Sequence, residues 1–215
     1  MRLAVMQPYL YPYPLYFHLI ASVDRFVVFD CVQFPRRGRV HRAPLPGAGW
    51  LTLPLAPQPR DTTIQALRFA DAAQRLWSDR LAALPWLGPE LTARLAPLGA
   101  DVTGYLVDQL RGVCARLGIT TPLLRSSALD LPRAARGTDR VIAAARALGA
   151  DHYVNLPGGR PLYDPATFAA AGLELSFLAP YAGPHASLLH ALATQPVATL
   201  QDELARLPAP ERALP

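Results

Sequence analysis

The segment Arg2–Asp30, RLAVMQPYLYPYPLYFHLIASVDRFVVFD, decides the fold. Arg2 to Met6 is mostly apolar, β-branched at Val5, and stops at Gln7-Pro8, where proline removes a ladder donor; it predicts a short buried strand. Pro14 suits the first turn of a helix, and Leu15 to Val23 supplies the apolar run that follows it. Arg25 to Asp30 then reads as a second strand, because Phe26, Val27, Val28 and Phe29 are apolar in succession. A strand apolar on both faces is what a parallel sheet covered by helices requires. Strand, helix and strand in so short a stretch predict a right-handed βαβ unit. Its C-terminal strand ends carry Gln7 and the run from Asp30 to Gln33, at the edge where open parallel sheets bind ligands.

Outward from this unit, no helical period appears between Phe34 and Ile64. The basic, turn-like PRRGRVHRAP (35–44) and the strand-like WLTLPL (50–55) predict a β-rich flap over the strand edge at about residues 34–62. Helical spacing resumes from Thr63 to Leu98 with breaks at Pro85 and Pro89. It is clearest from Val102 to Leu117, where Leu106, Leu110, Val113 and Leu117 recur at three and four residues and Gly118 closes the helix. A strand over Ile119–Leu124, a helix over Val141–Leu148 capped by Thr138, and a strand at Tyr153-Val154 repeat the first layout. A brief helix around Phe168 and a strand over Leu173–Leu178 complete it. The expectation is an α/β fold: one domain over residues 1–180 with a mostly parallel sheet flanked by helices and the β-rich insertion after its second strand. A helical C-terminal extension of decayed pattern follows over 181–215.

Composition narrows the chemistry. The chain has 215 residues, half of them apolar, a net charge of +5 and no lysine at all, so every cation is arginine. A P-loop lysine, a lysine Schiff base and a lysine nucleophile are thereby excluded, and any anion must be held by Arg forks or backbone N–H groups. The arginines are dispersed and not interleaved with aromatics on a nucleic-acid module, so no nucleic-acid partner is expected. No apolar run of membrane-spanning length occurs and the opening residues lack a signal-peptide pattern; neither membrane insertion nor export is expected, and the chain is read as cytoplasmic. Cys31 and Cys114 lack CxxC partners, and the histidines do not fall at metal-ligand spacing, so neither a metal nor a cofactor is expected.

Candidate site residues gather at the predicted strand ends. Gln7 can orient a substrate, Asp30 can receive a proton, Gln33 adds an amide, and His18 on the first helix is a second base. Arg36, Arg37, Arg39 and Arg42 place four cations within seven residues, a loop able to clamp phosphates. Ser126, Ser127 and Arg140 form a third set able to face a phosphate oxygen; Arg140 opposes the helix dipole there and calls for an anion. Asn155, Gly159 and Tyr163 follow another strand, with paired glycines permitting close backbone approach. The substrate these groups imply is a small molecule bearing phosphate or carboxylate.

These residues resemble a family. The opening Gln7-Pro8-Tyr9, Pro12-Tyr13, Phe17, Asp24, Asp30, Val32 and Gln33, with Arg37-Gly38, Arg42, Trp50, Thr52 and Pro54, is similar to the start of the WbqC-like proteins. Ser126-Ser127, Thr138, Arg140, Leu148-Gly149-Ala150, Tyr153, Gly159, Tyr163, Phe168, Gly172 and Phe177 extend the resemblance over most of residues 1–180. Leu15, His18, Arg39 and His41 depart from it, as does the region after Tyr181. The resemblance implies an enzyme of surface-polysaccharide biosynthesis that transfers an acyl or aminoacyl group to a nucleotide-activated amino sugar. A non-catalytic scaffold of a polysaccharide assembly system is the alternative.

Overall fold

A computed structural model describes residues 1–47 and 49–213. Five parallel strands, β1 (Arg2–Met6), β2 (Arg25–Val28), β5 (Leu123–Arg125), β6 (His152–Asn155) and β7 (Glu174–Phe177), and one antiparallel edge strand, β8 (Glu211–Arg212), form a sheet in the order β5-β2-β1-β6-β7-β8. β1 pairs with β2 from Leu3↔Arg25 to Met6↔Val28 and with β6 at Arg2↔His152 and Leu3↔Tyr153. The remaining strands, β3 (Arg42–Pro44) and β4 (Trp50–Thr52), make a separate antiparallel hairpin within the expected flap.

Strand alternation sorts the side chains into two layers. Ala4, Phe26, Val28 and Val154 pack with α1 (Pro14–Ala21), α4 (Val102–Leu117), α7 (Leu188–Thr194) and α8 (Val197–Ala205). Leu3, Val5, Val27, Tyr153 and Phe177 pack on the other face with α5 (Gly137–Ala147) and α6 (Pro165–Ala170). This two-sided burial is why Phe26, Val27 and Val28 must all be apolar. The larger layer also takes in Trp77 of α2 (Ala73–Ala82) and Leu91 and Leu95 of α3 (Gly88–Leu95); the indole Nε1 of Trp77 donates to the Leu95 carbonyl at 2.7 Å.

Local chemistry accounts for the element ends. α1 begins with Pro14, whose missing N–H costs nothing in the first turn. α4 starts where the Asp101 carboxylate accepts from the Gly104 N–H at 2.6 Å and ends at Gly118, left-handed at φ 74°. β5 covers Leu123–Arg125, later than expected, because Pro122 has no N–H to donate; its carbonyl still accepts from Phe26 N at 3.0 Å. α5 begins at Gly137 with Arg136 in the cap position and no side-chain cap, so Thr138 is already inside the helix. The C-terminal elements are tied into the same core: Leu188, Leu189, Leu192, Leu200 and Leu204 are buried with α1 and α4, and β8 adds to β7.

Candidate functional site

The connections fix where a site can lie. β1 continues through α1 to β2 on one side, whereas β6 continues through α6 to β7 on the other, with their helices on opposite faces. The strand order therefore reverses between β1 and β6, and a crevice opens beyond their carboxyl ends. Gln7 follows β1 and Asn155 ends β6, so one amide stands on each side of this switch point. A cavity of about 410 Å³ fills the crevice, lined by Met6, Gln7, Tyr9, Tyr13, Phe29, Asn155, Gly158, Gly159, Leu162 and Tyr163.

The two amides are held differently. The Gln7 carbonyl accepts from the buried Tyr16 hydroxyl at 2.8 Å, which fixes the backbone while the side-chain amide has no partner among the described residues. Asn155 accepts the Leu156 N–H on Oδ1 at 2.7 Å, which turns Nδ2 toward Gly159. A Cβ on Gly159 would lie 2.4 Å from that nitrogen, so glycine is required for Asn155 to keep its place. Tyr163 stands edge-on to Tyr153 and Phe168 and forms the far wall.

Tyr9 and Tyr13 also line a second hollow of about 550 Å³, bounded by Leu15, Arg39, Pro157, Tyr181 and His185. The two hollows are thus neighbours across a pair of tyrosines. Burial raises both phenols above their ordinary pKa, and the nearby Arg39 guanidinium offsets this only in part; both remain protonated donors at neutral pH. Arg39 lies 5.7 Å from the Tyr13 ring centroid and donates from Nη1 to the Ala186 carbonyl at 2.7 Å. The loop that carries these tyrosines is anchored throughout. Tyr11, at φ 44°, donates to Gln109 Oε1 and accepts the Ser187 hydroxyl on its carbonyl; Leu10 N–H reaches Arg39, and Leu188 N–H reaches Pro12. A non-glycine residue at positive φ persists only where surrounding bonds over-determine it.

The other expected residues divide. Asp30 follows β2 and Ser126 follows β5 on the same rim, but Asp30 is wholly buried and its oxygens are occupied. Oδ1 accepts from Ser126 Oγ at 2.8 Å and Ser127 N at 2.8 Å; Oδ2 accepts from Ser127 Oγ at 2.7 Å and Arg125 Nε at 2.7 Å. Burial pushes its pKa up, yet the Ser127, Arg125 and Ser126 donors prevail and hold it below the ordinary carboxylate value. Asp30, Ser126 and Ser127 thus clamp β2 to β5 and present no free carboxylate. Arg140 joins this cluster, donating Nε to Cys31 Sγ at 3.0 Å and Nη1 to the Pro132 and Ala135 carbonyls, so loop carbonyls and sulfur take the place of the expected anion.

Arg42 is likewise engaged within its own loop. It donates to the Gly38 and Arg37 carbonyls and stacks 4.3 Å over Trp50, while the side chain of Arg37 is exposed. Gln33 is exposed, donates to Arg60 O and bridges Thr63. His18 lies in the last turn of α1 with Nε2 2.9 Å from the Pro208 carbonyl, beside Gly118 to Thr121, away from the crevice. The structure therefore brings Gln7, Asn155, Gly159 and Tyr163 together; Asp30, Ser126, Ser127 and Arg140 make a neighbouring clamp; Gln33, Arg37, Arg42 and His18 stand apart. Arg39, one of the four cations of the basic loop, lines the second hollow together with Tyr181 and His185, which the sequence reading did not put forward. Among the described residues no group of three metal-ligating side chains occurs.

Comparison with known proteins bears on what this crevice serves. A family model described as the WbqC-like protein family matches residues 7–84 and 96–186. The uncharacterized protein Rv1507c of Mycobacterium tuberculosis is 26% identical over 196 residues, 82% of this chain and 81% of its own. A 3-deoxy-manno-octulosonate cytidylyltransferase of Acidobacterium capsulatum is 39% identical over 71 residues, which are 33% of this chain and 25% of that protein. No solved structure matches the chain.

Proposed function

We propose, from the premise that the chain belongs to the WbqC-like protein family, that it is a group-transfer enzyme binding a nucleotide-activated amino sugar across the two hollows. It attaches an acyl or aminoacyl group to the sugar amine, a step of surface-polysaccharide biosynthesis. The observation that carries the reading is the pair of amides, Gln7 and Asn155, lining one cavity on either side of the switch point of a doubly wound sheet. The partial likeness to a cytidylyltransferase whose name includes a sugar acid supports the pairing of nucleotide and sugar.

The chemistry of the lining supports the same ligand. Tyr9 and Tyr13 offer ring faces for a base or sugar and hydroxyls for its polar edge. Arg39 supplies the positive charge a diphosphate needs in a protein without lysine. Gln7 and Asn155 hold sugar hydroxyls, and rate enhancement comes chiefly from positioning two reactants side by side.

Calorimetric titration with UDP- and dTDP-linked sugars tests this. Saturable binding of at least one of them is expected, weakened about tenfold in Gly159→Ala, whose new methyl pushes Asn155 from its place. A folded wild-type protein that binds none of them would sink the proposal.

A further inference from the structure

The wall of the second hollow contains a cluster that the expected site residues do not include. His185 lies at this wall with its side chain 13% exposed, and its Nε2 is 3.5 Å from Glu203 Oε2. Tyr181 donates its hydroxyl to the other oxygen of Glu203, and the same hydroxyl accepts the backbone N–H of His185 at 3.3 Å. Burial, and then the Glu203 carboxylate, push the Tyr181 phenol far above its ordinary pKa, so it stays a donor. Tyr181 thus hydrogen-bonds to both Glu203 and the His185 backbone and holds the imidazole within ion-pair distance of the carboxylate, with the second ring nitrogen of His185 unpartnered among the described residues.

The loop that carries His185 is shaped around this arrangement. The Tyr181 ring folds back over Gly183 so closely that a Cβ there would meet the hydroxyl oxygen at 2.3 Å. The opposite face of Tyr181 meets Tyr13 at 6.2 Å between ring centroids, and Ala186 is tied to Arg39, so the cluster is braced against the rim loop itself. A histidine beside a fixed carboxylate, at the edge of a polar hollow, is the arrangement of a general base whose protonated form the acid stabilises.

We propose that His185, oriented by Glu203 and Tyr181, is the proton acceptor of this site and takes the proton of the sugar amine as it is acylated. The proposal rests on the nucleotide-sugar reading above. The amine lone pair forms the new N–C bond to the acyl carbon of an activated acyl or aminoacyl donor. The bond from that carbon to its leaving group breaks, and the electron pair departs with the leaving group. The N–H proton passes to His185; Glu203 stays ionised and pairs with the imidazolium, while Tyr181 keeps its proton. His185 is the catalytic residue in this scheme, and Glu203 and Tyr181 position it.

A binding experiment reads this without knowledge of the donor. The probes are a UDP-sugar carrying a free amine and its N-acetyl counterpart, titrated by calorimetry at about pH 7.5 and about pH 5.5, which bracket an ordinary imidazole. The charged groups facing His185 are Glu203 from α8 and Arg39 from the basic loop, with the neutral phenols of Tyr9, Tyr13 and Tyr181. Protonated His185 repels the ammonium, so the amine probe binds about tenfold more weakly at the lower pH, whereas the N-acetyl probe changes less than about threefold. His185→Gln abolishes the difference between the probes; Glu203→Gln keeps it but moves its midpoint to lower pH, because the imidazolium has lost its counter-charge. An amine-specific pH dependence that survives in His185→Gln overturns the assignment while leaving nucleotide-sugar binding intact. Failure of both probes to bind wild type overturns both readings.

Discussion

Asp30 sits at the end of β2 with no exposure to solvent and four donors on its two oxygens, one of them the Arg125 guanidinium. A buried carboxylate satisfied in this way strengthens the fold only while it is ionised. Asp30→Asn puts an amide N–H where oxygen accepted a bond, and the expected loss is about 2–4 kcal/mol at neutral pH, read from urea denaturation. Because the folded pKa lies below the unfolded value near 3.8, the stabilisation is complete above about pH 4 and disappears as pH falls through the folded pKa. The gap in urea midpoint between wild type and Asp30→Asn is therefore expected to narrow steadily as pH is lowered below the unfolded value; a gap that does not narrow would show that the charge is not the source. The position of Asp30 at a strand end was legible in the sequence, since an acid after an apolar run has few other places to be. Its task was not, because the hydroxyls that occupy it stand nearly a hundred residues later, and only the β2–β5 pairing brings them together.

At the scale of elements, the basic loop shows how like residues acquire unlike roles. Arg36, Arg37, Arg39 and Arg42 were alike in charge and only the family resemblance marked Arg37 and Arg42, but the β3–β4 hairpin turns Arg42 onto Trp50 and its own loop carbonyls, while Arg39, ahead of the hairpin, reaches Tyr13 and Ala186. Arg42→Ala is expected to lower stability by about 1 kcal/mol through the lost stacking and bonds, and to leave affinity for UDP-sugars within about threefold. Arg39→Ala is expected to lower that affinity about tenfold with less effect on the urea midpoint. The reverse ranking in calorimetry would return Arg42 to the site. Elements with strong local terminators were read closely: α4 runs from Val102 to Leu117 as its period and its terminal Gly118 predict. Where proline edits a ladder, as at Pro122 before β5, composition alone does not give the register.

The whole molecule depends on contacts that sequence periodicity cannot see. The first βαβ unit was readable, but the order β5-β2-β1-β6-β7 follows from long crossovers, and it alone creates the reversal point that puts Gln7 and Asn155 on one crevice. The region after residue 180 lost its pattern in sequence, yet its helices carry Leu188, Leu189, Leu200 and Leu204 into the larger core layer. It also latches the rim loop through Ser187 to Tyr11 and Leu188 to Pro12, and it holds both Glu203 and the loop of His185. Each of those leucines contributes about 2–5 kcal/mol by the cost of truncating a buried leucine, against a total stability of about 5–15 kcal/mol for an ordinary domain. A chain ended after residue 180 therefore exposes one side of α1 and α4, and it is expected to lose cooperative thermal unfolding and to bind hydrophobic dyes such as ANS. If instead that shortened chain melts cooperatively at the temperature of the full chain, α7 and α8 are an appendage, and the rim loop is held without them.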